Sequence, residues 1–217
     1  MKSGFLLIVI VLSLMLYSES HSEINLGFIF GFSTPNNHVN DIYNSSIFHT
    51  ENGLGKLWRD ASSAGYHFGV KARLQMNDNA DFLIGIYWHR FMQSDLKLLD
   101  TAGGKELTSF SSKQNVIPIN VGVSYYLLKS TLSLYITGDL AYNYISSSVD
   151  YKGIPIEGVS ITPTDSRVGW GIGAGFDLDL GSVAPNLEVK YNIINLIGKV
   201  GEEQTKAFLS VSLGFYF

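Results

Sequence analysis

From Thr205 to Phe217 every second side chain is apolar, Ala207, Leu209, Val211, Leu213, Phe215 and Phe217, and between them fall Lys206, Ser210, Ser212, Gly214 and Tyr216. Phe208 alone breaks the rule. Successive side chains of a strand point to opposite faces, so a period of two places one strand between two media, one apolar and one polar. The same period recurs in seven earlier segments. A chain patterned in this way can fold only as a sheet whose two faces meet different surroundings.

The first segment is Glu23 to Phe32, with Ile24, Leu26, Phe28, Phe30 and Phe32 against Asn25, Gly27 and Gly31. The others are Gly65 to Met76, Asp81 to Phe91, Val116 to Leu127, Thr131 to Tyr144, Val168 to Leu180, and a segment beginning near Asn186. Val168 to Leu180 is the cleanest: Val168, Trp170, Ile172, Ala174, Phe176, Leu178 and Leu180 face Gly169, Gly171, Gly173, Gly175, Asp177 and Asp179. In Thr131 to Tyr144 the apolar series has one gap, at Gly138.

The connections alternate in length. Ser33 to Ala64, Met92 to Asn115 and Ile145 to Arg167 are long; Asn77 to Ala80, Leu128 to Ser130 and Gly181 to Pro185 are short, and the link near Gly198 to Gln204 is brief. Such spacing predicts an antiparallel up-and-down meander of eight strands.

Either face of an eight-stranded barrel can be the apolar one. A soluble barrel buries its apolar series, whereas a transmembrane barrel presents it to lipid and turns the polar series inward. Here the polar series holds Lys71, Arg73, Asp139, Asp177, Asp179, Glu188 and Lys190, many of them midway along their strands. The aromatic residues of the other series band at two levels. Phe30, Phe32, Tyr66, Trp88, Tyr142, Tyr144 and Trp170 fall toward the long connections, and Phe82, Tyr125, Phe215 and Phe217 toward the short ones. Two such girdles mark the two edges of a bilayer. The expected fold is therefore all-β, an eight-stranded antiparallel transmembrane barrel over residues 23–217.

Ahead of it, Lys2 and the apolar run Phe5 to Leu16, followed by Ser20-His21-Ser22, form an export signal with cleavage after Ser22 or after Ser20. The run is too short for the roughly 20 residues of a spanning helix. The chain of 217 residues carries a net charge of -4 and no cysteine. Nucleic acid is thus a poor partner, and disulfides and thiolate metal sites are excluded.

In strand number, alternating loop lengths, girdles and the aromatic Phe217 ending, the segment from Glu23 to Phe217 resembles the eight-stranded outer-membrane barrels of Gram-negative bacteria, the OmpA-like and OmpX-like proteins. The resemblance implies a monomer in the outer membrane with periplasmic termini and extracellular long loops. It implies outer-membrane lipids and the barrel-assembly machinery as partners, with Phe217 part of the assembly signal. It also implies a structural or adhesin-like role rather than an enzymatic one, the alternatives being a small ion or solute pore and a lipid-A-modifying enzyme. No counterpart of the peptidoglycan-binding domain of longer members is expected.

Within that frame the inward charges are expected to form a plug of ion pairs, with Lys190 near enough to meet Asp177 or Asp179. The inward pair His67 and His89 lacks the ligand spacing of a metal site, and no cofactor is expected. Ser146 to Ser148 is the nearest thing to a nucleophile cluster, and Arg90 is the one charge on the apolar parity of its strand. The Gly169 to Gly175 run keeps strand parity and so is no dinucleotide loop. The first long connection carries Ile42, Tyr43, Ile47, Phe48, Leu54, Leu57 and Trp58, enough apolar surface either to contact a ligand or to fold over the barrel mouth. Asn44-Ser45-Ser46 has a glycosylation pattern of no weight in a bacterial export product.

Overall fold

The computed structural model describes residues 24–36, 38–40, 56–59, 62–99, 105–153, 164–199 and 203–217. The export signal with its cleavage sites, the Asn44 to Ser46 pattern and residues Ile42, Tyr43, Ile47, Phe48 and Leu54 lie outside the described residues.

Among the described residues nine strands follow one another: β1 (Ile24–Pro35), β2 (Lys56–Arg59), β3 (Gly65–Asn77), β4 (Ala80–Leu99), β5 (Glu106–Leu128), β6 (Leu132–Gly153), β7 (Thr164–Leu178), β8 (Ala184–Ile197) and β9 (Ala207–Tyr216). All but β2 form a closed antiparallel ring, in the order β4, β3, β1, β9, β8, β7, β6, β5 and back to β4. Closure satisfies every strand edge within the ring, the condition for placing a sheet in hydrocarbon. The two chain ends of the ring lie side by side, with the Leu26 N–H on the Phe217 carbonyl at 3.1 Å and the Phe217 N–H on the Leu26 carbonyl at 2.9 Å.

Local chemistry closes the short turns. In the β3–β4 turn the Asn79 N–H donates to Asn77 Oδ1 at 2.9 Å, an Asx turn that lets the chain reverse within a few residues. After β7, Gly181 takes a φ of 89°, a left-handed conformation that a side chain would strain.

The apolar series faces out and the polar series faces in. Phe28 is 64% exposed, Leu140 65% and Ile172 54%, whereas Lys71 is 5% exposed, Arg73 4% and Glu188 4%. A water-soluble barrel would show the reverse.

Three strands outrun their expected lengths. β4 continues past Phe91 to Leu99, β5 begins at Glu106 rather than Val116, and β6 continues past Tyr144 to Gly153. Much of what the sequence presents as long loops is therefore paired strand, with Leu98 opposite Thr108 and Ser109 opposite Lys152. Along these extensions the two-residue alternation fades while backbone pairing persists. A register shift between Phe91 and Ser94 falls where the β4 extension begins. β2, inside the first long connection, adds to this extension by pairing with β4 from Leu96 to Leu99.

Candidate functional site

Parity turns Arg73 of β3 into the lumen near the turn end, where its Nη1 donates to Asp177 Oδ2 at 2.6 Å. β7 lies four steps round the ring from β3, so this pair bridges opposite walls. The guanidinium lies 3.8 Å from the ring centre of Tyr216 and 4.9 Å from that of Tyr135, a stacking that its planar, weakly hydrated charge favours. Tyr126 accepts from Arg73 at 3.3 Å and donates to Asp81 at 2.8 Å. Asn186 donates to Asp177 and to the Tyr135 hydroxyl, each at 2.7 Å, and Tyr135 donates in turn to Glu188 at 2.9 Å. Lys71 donates to the same Glu188 oxygen at 2.7 Å.

Lys190 pairs with Asp139 of β6, and the expected contacts with Asp177 and Asp179 are not made. The register sets Lys190 opposite Gly173 and Asp177 opposite Asn186, too far apart along the strands. Lys190 instead reaches across β7 at Gly171, where a Cβ would stand 2.3 Å from Lys190 Cε. Gly175 likewise leaves room for Tyr135, whose hydroxyl would be 2.5 Å from a Cβ there. The bare inner face of β7 is thus the floor over which two side chains of the plug lie. Asp179 is not a lumen residue. It is exposed beyond the end of β7, where its Oδ1 accepts the Gly181 N–H at 2.8 Å.

Toward the loop end the lumen changes character. The rings of His67 and His89 are 4.7 Å apart, and Ser33 Oγ lies 3.0 Å from one Nδ1 and 3.1 Å from the other. One hydroxyl has one proton, so with both imidazoles neutral Ser33 donates to one ring and accepts an N–H from the other, which makes their tautomers opposite. Ser212 takes up His67 Nε2 at 2.9 Å. A residual cavity of about 20 Å³ between these groups and Lys190 has room for a single water. Among the described residues no three His, Asp or Glu side chains are grouped to hold a metal ion.

Above the histidines the mouth is closed by buried apolar side chains: Val39, Phe91, Val116, Ile145, Ile194 and Phe208. Val39 belongs to the start of the first long connection, and at residues 38–40 the chain turns in over the mouth. Asn40 donates to the Met92 carbonyl at 2.5 Å, and its own carbonyl accepts from Ser112 at 2.7 Å. Phe208, the exception in the closing strand, is part of this lid.

On the outer surface Phe30, Phe32, Tyr66, Tyr142, Tyr144, Tyr125 and Phe217 are exposed, and Trp88, Trp170, Phe82 and Phe215 are half-buried. Tyr66 and Trp88 meet edge to face at 5.6 Å. At the β1–β9 seam, Phe30 and Phe215 stack 6.3 Å apart although they were assigned to opposite bands. The register puts Phe28 opposite Phe215, so along this seam the aromatics form a column rather than two belts. Arg90 donates to Asn115 at 3.1 Å on the outer face. Ser147 accepts from Gln114 at 3.1 Å in the extended wall.

A closed ring with its charges inside and its oily side chains outside is a transmembrane β-barrel. Residues 4–217 match the outer membrane protein beta-barrel domain, and the chain belongs to this family. No curated protein matches the sequence. Among solved structures, Neisserial surface protein A (NspA) is similar, with a TM-score of 0.52 and 16% identity over 91% of this chain and 98% of that one. Ail, the attachment invasion locus protein of Yersinia pestis, matches with a TM-score of 0.39 and 11% identity over 90% and 99%. The outer membrane protease OmpT from Escherichia coli matches with a TM-score of 0.47 and 8% identity over 92% and 97%. At such identities the likeness is one of fold.

Proposed function

We propose that this outer-membrane barrel is a monomeric, non-catalytic surface protein that acts through its loop end, in a structural or adhesin-like role. The observation that supports this most is a lumen blocked twice, by ion pairs in the turn half and by the apolar lid at the mouth, beneath a wall that continues outward as paired strands. Material spent on an ordered platform beyond the bilayer suits contact with a partner, and a plugged interior does not suit transport. Tight turns are periplasmic in barrels of this kind. The reading therefore puts both termini in the periplasm, the β4–β6 extension outside the cell, and residues 1–22 in a signal removed during export. Lipids and the barrel-assembly machinery, the latter reading Phe217, complete the partners.

Two measurements test this. Protease added to intact cells is expected to cut only within the connections following β1, β4 and β6, and cuts in the turns at Asn77 to Ala80 or Leu128 to Leu132 would invert the topology. In planar bilayers the pure protein is expected to give no regular conductance steps. Lys190→Ala leaves Asp139 with Asn120 as its remaining partner at 2.9 Å, so it should cost about 2 kcal/mol of stability in detergent without opening a path. Discrete steps that grow in Lys190→Ala would favour a pore.

A further inference from the structure

Between the ion pairs and the apolar lid the lumen holds a layer built on two histidines. His67 and His89 stand opposite each other in register on β3 and β4, and the Nδ1 atoms of both lie against Ser33 Oγ. His89 also touches the lid. Its ring centre is 4.7 Å from that of Phe208 and 6.2 Å from that of Phe91, the next inward residue of β4, with the latter two planes 8° apart. Ser33 lies in β1 just ahead of residues 38–40, so the hydroxyl that joins the two rings sits at the root of the segment that brings Val39 into the lid.

Among the described residues, every carboxylate near this layer already holds a cation. From the turn side, Glu188 of β8 is paired with Lys71 of β3 and Asp139 of β6 with Lys190 of β8. From the loop side, Asp165 and Glu203 are paired with Arg167 of β7, and Glu203 also with Lys206. Tyr87 of β4 stands beside His89, with ring centres 6.1 Å apart, and His38 is carried on the lid segment itself. β1, β5 and β9 face the pair with uncharged side chains. A proton arriving on either imidazole therefore meets no spare anion, and Lys190 lines the same small cavity as both rings. The lid keeps out water, the other source of relief. A buried charge without a partner is costly, and two charged rings this close repel as well. Opening the mouth hydrates them. We infer that the histidine pair is an acid-sensitive latch: Ser33 ties the neutral rings beneath a closed lid, and protonation of the pair releases residues 38–40 from the mouth. The ion pairs of the turn half stay in place, so what opens is an outer vestibule rather than a path through the barrel. The latch follows from the geometry of the mouth; its use, displaying the apolar lid face to a partner in acid, rests on the surface role proposed above.

The chain has no cysteine, so Val39→Cys places a single thiol in the lid, at a side chain that is 0% exposed. The folded protein in detergent micelles is reacted with dithiodipyridine, which labels thiols in acid as well as at neutral pH. Its rate is divided by that of Asn79→Cys, in the exposed β3–β4 turn, at the same pH. Each proton taken up on opening raises the open population by up to about tenfold per pH unit, so the ratio is expected to rise roughly tenfold or more between about pH 7.5 and about pH 4.5. His67→Gln/His89→Gln, whose amides can still bond Ser33, should hold the ratio flat. His89→Gln alone should give a smaller rise, and decides the matter if the double variant folds poorly. His38→Gln should rise as the parent does. A ratio that stays flat in the parent would overturn the inference. So would a rise that survives the loss of His89 undiminished, or one that disappears in His38→Gln, for then another group is the sensor. Both ends of the barrel meet the same buffer in a micelle, so cuts in the short turns of intact cells would sink the surface role and leave the latch standing.

Discussion

Arg73→Ala should destabilise the folded barrel by about 3–5 kcal/mol, read as a lowered urea midpoint of tryptophan emission in detergent micelles. The size follows from what is left behind. Asp177, 8% exposed, loses its cationic partner and keeps the Asn186 bond, with the Tyr126 hydroxyl at a longer 3.4 Å and with Asp81 and Glu188 in the same network. The stacking on Tyr216 goes as well. Removing a buried charge pair together is far cheaper than removing one member, so Arg73→Ala/Asp177→Ala should recover more than half of the loss, a non-additivity that marks direct coupling. Arg73→Lys keeps the charge but not the planar stack, and should fall between the two. A loss below about 1 kcal/mol for Arg73→Ala would mean that water reaches the pair and that the plug is not sealed.

That pair also shows what a sequence of this type conceals. Alternation assigns Arg73 and Asp177 to the same face of their strands, and this much needs no coordinates. Their meeting depends on ring closure and stagger, which bring together residues separated by 104 positions. Local patterning does not encode that distance, so it points Lys190 to Asp177 or Asp179 on the adjacent strand, whereas its partner is Asp139, one strand further on. The tyrosines were legible by parity: Tyr135 shares the inward series of Ser133, Thr137 and Asp139. Parity alone does not distinguish a tyrosine that joins a buried ionic network from one that sits at a membrane interface, where aromatic residues of a barrel are expected. The paired extension of β4, β5 and β6 carries no alternating signature, because backbone pairing needs no contrast between the two faces of a sheet unless they meet different media. Val39 is a single apolar residue among polar ones, and nothing before the structure distinguished it from a loop residue in solvent.

Ile86→Arg should cost about 2–4 kcal/mol when the protein is refolded into phospholipid vesicles and titrated with urea. Ile86 is 46% exposed on the outward series of β4, opposite Val70 and Ile119, about midway along the ring. On a soluble protein an exposed site of this kind tolerates substitution within about 0.5 kcal/mol. In a bilayer the same surface faces hydrocarbon, and a guanidinium there must either lose its hydration or deform the lipid around it. Depth supplies the control. Ile197, 62% exposed and opposite Val168 at the loop end of β8, stands far from the middle of the strands, and Ile197→Arg should cost no more than about 1 kcal/mol. A steep difference between the two sites means that exposure in this barrel is exposure to lipid. Equal small costs at both would return the oily face to water and remove the basis for reading the lumen as the protected side.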